Sequence, residues 1–140
     1  MTTRHVQLIR ETFPQLREVA GPLAQLFYGR LFEIAPSVRP MFRSDMRVQG
    51  RKFTDMLEAL VEGLENFDQH KPALRAMGLR HIGYGVVPQH YDTLAAAFLW
   101  SISQVLGTGF SADVRAAWTG LIEEVSATMK AGAAELPPAQ

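Results

Sequence analysis

Apolar residues recur at three- and four-residue spacing in nearly every window of the 140-residue chain, and no long window alternates apolar and polar residues with a period of two. That pattern predicts helices throughout and no sheet. The first helix spans about Thr3 to Val19, with Val6, Ile9, Phe13 and Leu16 on one face and Pro14 expected to kink it. Gly21-Pro22 punctuates next, because proline suits a first helical turn, and a second helix follows with Leu23, Leu26, Phe27, Leu31 and Ile34 inward. Pro36 and Pro40 restrict Ala35 to Phe42 to a short, tight helical turn, with Phe42 at the corner before a polar loop, Arg43 to Arg47.

The strongest amphipathic signal of the first half lies at about Val48 to Glu65, where Phe53, Met56, Leu57, Leu60, Val61 and Leu64 share a face. Another helix spans about Lys71 to Arg80, in the apolar stretch Pro72 to Ile82, and His81 stands at its close. Gly83 and Gly85 around Tyr84 loosen the backbone before Pro88 opens a long helix with Tyr91, Leu94, Ala95, Phe98, Ile102, Val105 and Leu106 inward, ending near Gly107 and Gly109. Ser111 or Asp113 caps the last helix, whose inner face is Val114, Ala117, Trp118, Leu121, Ile122, Val125 and Met129. The expected domain organisation is one domain over residues 1–134 and a flexible tail over 135–140, where Pro137-Pro138 has nothing to pack against.

Composition narrows the chemistry. Fourteen basic residues balance fourteen acidic ones, which favours neither nucleic acid nor anionic lipid as a partner. The longest wholly apolar run, Leu94 to Trp100, is far short of the about 20 residues of a membrane span, and the first residues lack the apolar core of a signal peptide, so the expected location is the cytoplasm. With no cysteine, disulfides, thiolate ligands and a cysteine nucleophile are excluded, and any metal must be held by His, Lys, Tyr, Met or carboxylate. No Ser-His-Asp order, phosphate-cradling loop or paired-carboxylate signature is present, and Gly83 with Gly85 is too weak for a nucleotide motif.

Four histidines remain as donors: His5, His70, His81 and His90. A single histidine in a helical protein is more often a satisfied polar residue than a ligand. Yet at the end of a helix in a cysteine-free, all-helical chain, His81 is also placed where an imidazole holds a haem iron from one side. His5, His70 and His90 read as surface residues, and Arg43, Arg47 and Arg51 as a solvated basic face able to supply a propionate partner.

Helices of unequal length with a short, proline-broken one third suit an irregular helical sandwich better than an up-down bundle. The run Phe27-Tyr28-Gly29-Arg30-Leu31-Phe32, then Pro36, Met41-Phe42, Arg80-His81 and Pro88-Gln89-His90-Tyr91, resembles the globin domain of bacterial flavohaemoglobins and their single-domain relatives, over about Val6 to Met129. The resemblance implies an all-α globin fold of six to eight helices around a pocket for haem b. It implies His81 as the iron ligand, Phe42 as the aromatic packed flat on the haem, and Tyr28 as the distal tyrosine whose O–H steadies bound dioxygen and slows its release. Tyr91 matches the tyrosine that joins the hydrogen-bond network behind the histidine with a glutamate of the last helix. Here that glutamate's place falls on Ala133, with Glu135 the nearest carboxylate, which argues against peroxidase-like chemistry.

Counting from Phe42 and Gly50 puts the family's distal glutamine at Lys52, with Met56 one turn further as apolar cover. Lys52 either faces solvent and pairs with a propionate as a gate, or turns inward and binds iron as a neutral amine. A three-residue slip puts Gln49 in the pocket instead. The cofactor-binding set is then Tyr28, Phe42, Lys52, Phe53, Met56, Met77, His81, Val86, Tyr91 and Phe98, with Tyr28 and Tyr91 as the catalytic candidates. The function the resemblance implies is reversible binding of dioxygen and other diatomic gases, with conversion of nitric oxide to nitrate as an enzyme role that calls for a separate reductase. The alternatives are a haem-based gas sensor or helical interaction module, and a haem-free domain with a closed pocket. The oligomeric state is left open.

Overall fold

The computed structural model describes residues 2–42, 45–83 and 86–134, and among them every regular element is helical. Six α-helices follow in order: α1 (Thr3–Glu18), α2 (Ala20–Ile34), α3 (Met46–Glu62), α4 (Lys71–Gly83), α5 (Pro88–Leu106) and α6 (Ala112–Ala134). Three 3-10 turns, Pro36–Met41, Leu64–His70 and Gly107–Gly109, link them. None of these helices is long and apolar enough to cross a membrane. Arg43 in the basic face, Gly85 beside Tyr84, and the tail Glu135 to Gln140 lie outside the described residues.

Local chemistry sets most boundaries. The Thr2 hydroxyl accepts the His5 N–H at 3.1 Å to open α1, which runs unbroken through Pro14. α3 starts two residues earlier than its apolar pattern does, because the Asp45 carboxylate accepts the Arg47 N–H at 2.8 Å, and the polar loop is correspondingly shorter. Val48 is left exposed. α3 also stops at Glu62, before the expected end at Glu65. Gly63 caps it with the His70 ring packed where a Cβ would stand, and Asn66, at φ −123° and ψ 44°, breaks the helical path. Leu64 and Phe67 are therefore buried by a separate turn, and His70, read as a surface residue, is half-buried. α5 ends at Gly107, whose φ of +55° only glycine adopts at little cost, and Ser111 rather than Asp113 caps α6, its Oγ accepting the Val114 N–H at 3.2 Å.

The core gathers the apolar faces of all six helices. Trp118 is fully buried and its indole N–H donates to Thr12 Oγ1 at 2.9 Å, while the Thr12 hydroxyl donates to the Leu8 carbonyl at 2.8 Å. That pair satisfies two buried polar groups with each other and with α1, and no buried side-chain N or O among the described residues lacks a partner. Ile34, expected inward, is 47% exposed at the end of α2.

α4 packs most extensively on α6, α2 crosses both α5 and α3, and α1 lies on α6. The α4–α6 crossing is made by two reciprocal glycines. A Cβ on Gly78 would stand 2.0 Å from the Met129 carbonyl oxygen, and one on Gly132 would stand 2.2 Å from that of Arg75. Glycine inside a helix costs about 1 kcal/mol against alanine, and here the cost is offset by backbone-to-backbone contact beneath His81.

Candidate functional site

Between α2, the Pro36–Met41 turn, α3, α4, α5 and α6 the packing leaves a cavity of about 190 Å3. Its walls are overwhelmingly apolar. Phe27 stacks on Phe53 at 4.7 Å between ring centroids and Phe98 meets Phe53 edge-on at 5.3 Å, so three helices present a continuous aromatic wall, with Trp118 of α6 behind Phe98 at 6.2 Å. Tyr28, Phe42, Phe53, Met56, Met77, His81, Val86, Tyr91 and Phe98 from the expected set all line it. Lys52 does not.

His81 sits in the last turn of α4 and is half-buried. Its Nδ1 lies 2.7 Å from the Met77 carbonyl oxygen, an acceptor only, so the ring proton is on Nδ1 and Nε2 carries the lone pair. Burial pushes the imidazole below the usual histidine range; the Met77 hydrogen bond opposes that shift and the neighbouring Arg80 charge adds to it. A neutral imidazole with Nε2 as donor atom is what a transition metal needs. The orienting acceptor is thus a backbone carbonyl. The resemblance implies a further network here through Tyr91 and a glutamate of the last helix, whose place in this chain falls on Ala133, next to Gly132 where α6 meets α4. Tyr91 is buried, which raises its phenol above the usual tyrosine range, and the Lys130 ammonium lies 5.9 Å from its ring centroid.

On the other side, Tyr28 on α2 is buried between Phe27, at 4.8 Å, and Phe42, edge-on at 5.3 Å. Burial raises its phenol, and a side-chain hydrogen bond with Gln49 works against that rise. The side chain that meets Tyr28 is therefore Gln49 and not Lys52, although neither Gln49 nor Lys52 lines the cavity. Helix geometry explains why. Gln49 and Phe53 are one turn apart on the face that meets α2, whereas Lys52 stands about 100° around the axis from Phe53 and is exposed. An inward, iron-binding Lys52 has no geometry here. His90, read as a surface residue, lines the cavity instead: its Nδ1 accepts the Val87 N–H at 3.0 Å at the start of α5, which leaves the ring proton on Nε2. Arg47 and Arg51 do not line this cavity. The signal for His90 was present in its place on the first turn of a proline-initiated helix, where side chains serve orphan backbone groups.

A family model for globins matches residues 25–129, well over half of the chain. The chain belongs to the globin family. As a globin it is similar to the flavohemoprotein of Xylella fastidiosa strain Temecula1, 30% identical over 116 residues that cover 81% of this chain and 29% of that protein. It is also similar to the flavohemoprotein of Vibrio cholerae (25% over 122 residues, 85% and 31%) and to Neuroglobin-1 of Oncorhynchus mykiss (25% over 146 residues, 94% and 92%). This globin thus spans about three tenths of the length of the flavohemoproteins it matches. Among solved structures it superposes on an engineered carbene transferase built on a Rhodothermus marinus protein described as a nitric oxide dioxygenase. The TM-score is 0.87 with 24% identity, covering 96% of this chain and 94% of that one. A bacterial globin from Campylobacter jejuni gives 0.80 with 21% identity, covering 96% and 97%. These two likenesses show the globin fold.

Proposed function

We propose that this globin holds haem in its apolar cavity through His81 and reversibly binds dioxygen and other diatomic gases. The observation that carries the reading is the half-buried His81, fixed by Met77 in the Nε2-donor form at the wall of a cavity built mainly from apolar side chains. The donor set fits the cofactor. At about 190 Å3 the cavity is smaller than the about 300–1,000 Å3 of typical small-molecule sites, so seating a porphyrin requires its walls to give way. The haem, when bound, supplies the iron at which a diatomic gas coordinates. Phe42 and the Phe27–Phe53–Phe98 wall keep water from that place, Tyr28 with Gln49 supplies polar hydrogens where charge develops on the gas, and the His90 Nε2–H suits a carboxylate of the cofactor.

The proposal extends to oxidation of nitric oxide to nitrate with electrons from a separate reductase, supported by the flavohemoprotein relatives and the Rhodothermus marinus neighbour. For that reaction the chain's part is a dry cavity and an oriented polar pair. The last helix carries Ala133 at the place of the family's glutamate, so peroxidase-type chemistry is not part of the proposal. Reconstitution with haem b tests the reading: the parent is expected to show the absorption of histidine-ligated haem, and His81→Gly to lose it and regain it with added imidazole. A parent that stays colourless, or a His81→Gly protein with unaltered iron coordination, would falsify it.

A further inference from the structure

The groove between α2 and α3 is a second concavity, of about 530 Å3, and Tyr28 is the one residue, among those described, that lines both it and the apolar cavity. Its other walls add charge to a largely apolar surface. Arg39 from the Pro36–Met41 turn and Arg47 and Arg51, one turn apart on α3, line it together with Gln25 and Thr54 and with apolar side chains such as Phe32 and Met46, and among the described residues no carboxylate does. Among the described residues none of the three guanidiniums forms an ion pair, and Arg39 lies over the Phe32 ring at 4.9 Å. Asp45, the acidic residue beside this stretch, has its carboxylate on the Arg47 backbone N–H as the cap of α3. The wall on α2 is open, because positions of a Cβ on Gly21 and Gly29 have nothing within 4 Å.

Three cations around one concavity repel each other in the absence of a counter-ion, and concave low-dielectric walls concentrate their field. Guanidinium is planar with parallel N–H donors, so it matches a flat anion with two or three oxygens better than a spherical halide. We propose that the α2–α3 groove binds a small planar oxyanion, of the nitrate and small-carboxylate class, on Arg39, Arg47 and Arg51, and that Tyr28 passes its occupancy to Gln49 and the apolar cavity. The site stands on the groove's own geometry and goes beyond the gas-binding reading.

The test is a titration of the full chain with nitrate at constant ionic strength, chloride being the balancing salt, followed by the amide resonances of α2 and α3. Saturable shifts confined to the groove, at roughly millimolar concentration, are expected, together with movement of the Gln49 side-chain amide. Arg47→Gln combined with Arg51→Gln weakens the binding at least about tenfold, and Gly29→Leu, which fills the groove from α2, abolishes it. Arg17→Gln on α1, paired with Glu58, leaves it unchanged. Acetate in place of nitrate reports which member of the class the site prefers. Shifts that follow chloride equally and never saturate overturn the site, as does saturation that survives both the arginine pair and Gly29→Leu; a Gln49 amide that stays still overturns the coupling. Failure to take up haem would overturn the function proposed above and leave this titration as it is.

Discussion

The two helix pairs that flank the cavity are built to opposite tolerances. Behind His81, α4 and α6 meet backbone to backbone at Gly78 and Gly132, with no room for one carbon atom on either side. On the tyrosine side, α2 and α3 touch at Ala24 and Gly50, where a Cβ would stand 3.3 Å from the alanine methyl, and then diverge around an arginine-lined groove. Interiors are close-packed and transmit strain, so the first crossing fixes where the imidazole stands, while the second leaves Tyr28 between an apolar cavity and a polar one. The function proposed above asks for this contrast: an imidazole that holds iron has to be held still, and a phenol that meets incoming and departing small molecules works beside open space.

The largest effect is expected where the tolerance is tightest. Gly78→Ala pushes α4 off α6 and is expected to cost about 3 kcal/mol, read as a fall of roughly 10 °C in melting temperature, with weaker retention of haem. Gly50→Ala is expected to stay within about 1 kcal/mol of the parent. Equal melting temperatures for the two variants would erase the contrast between the crossings. On the tyrosine side, Tyr28→Phe removes the O–H, and release of oxygen is expected to speed up by about ten- to a hundredfold, the range of a hydrogen bond to a charged group. Exposed Lys52→Ala is expected to leave that rate within about twofold. A larger effect from Lys52 than from Tyr28 would return the distal site to the lysine.

The smallest effect is a pH dependence. Burial holds the Tyr28 and Tyr91 phenols above the ordinary tyrosine pKa near 10. Below pH 10 folded and unfolded chains both keep these protons, so stability does not depend on them. Above pH 10 the unfolded chain releases protons that the folded one retains, and stability is lost as pH rises through the folded-state values. Tyr28→Phe and Tyr91→Phe should each flatten the alkaline decline in melting temperature, and a decline of unchanged slope in both would show that neither phenol is held above its usual range.

Much of this molecule could be read without coordinates. Helical periodicity located all six α-helices, and proline and glycine placed α2, α5 and the Pro36–Met41 turn to within a few residues, because these signals are local. The errors share a cause. α3 starts and stops by capping, at Asp45 and Gly63, and its apolar stripe does not mark those points. Gln49 and Lys52 differ by three residues on one helix, and counting along the chain cannot tell which of them faces α2. Thr12 became the partner of the Trp118 indole across 106 residues, and no window of sequence contains both.

What the amino-acid order determined by itself is the class of structure and the donor types on offer: helices from spacing, an imidazole at the close of α4, and no thiolate from the lack of cysteine. What the tertiary structure decided is which group meets which. The Met77 carbonyl orients His81, Gln49 rather than Lys52 holds Tyr28, and paired glycines set the height of α4 on α6. Periodicity and capping act over one or two turns and are written in neighbouring residues, whereas these contacts depend on how helices far apart in the chain rotate and approach, a matter of packing that no single segment encodes.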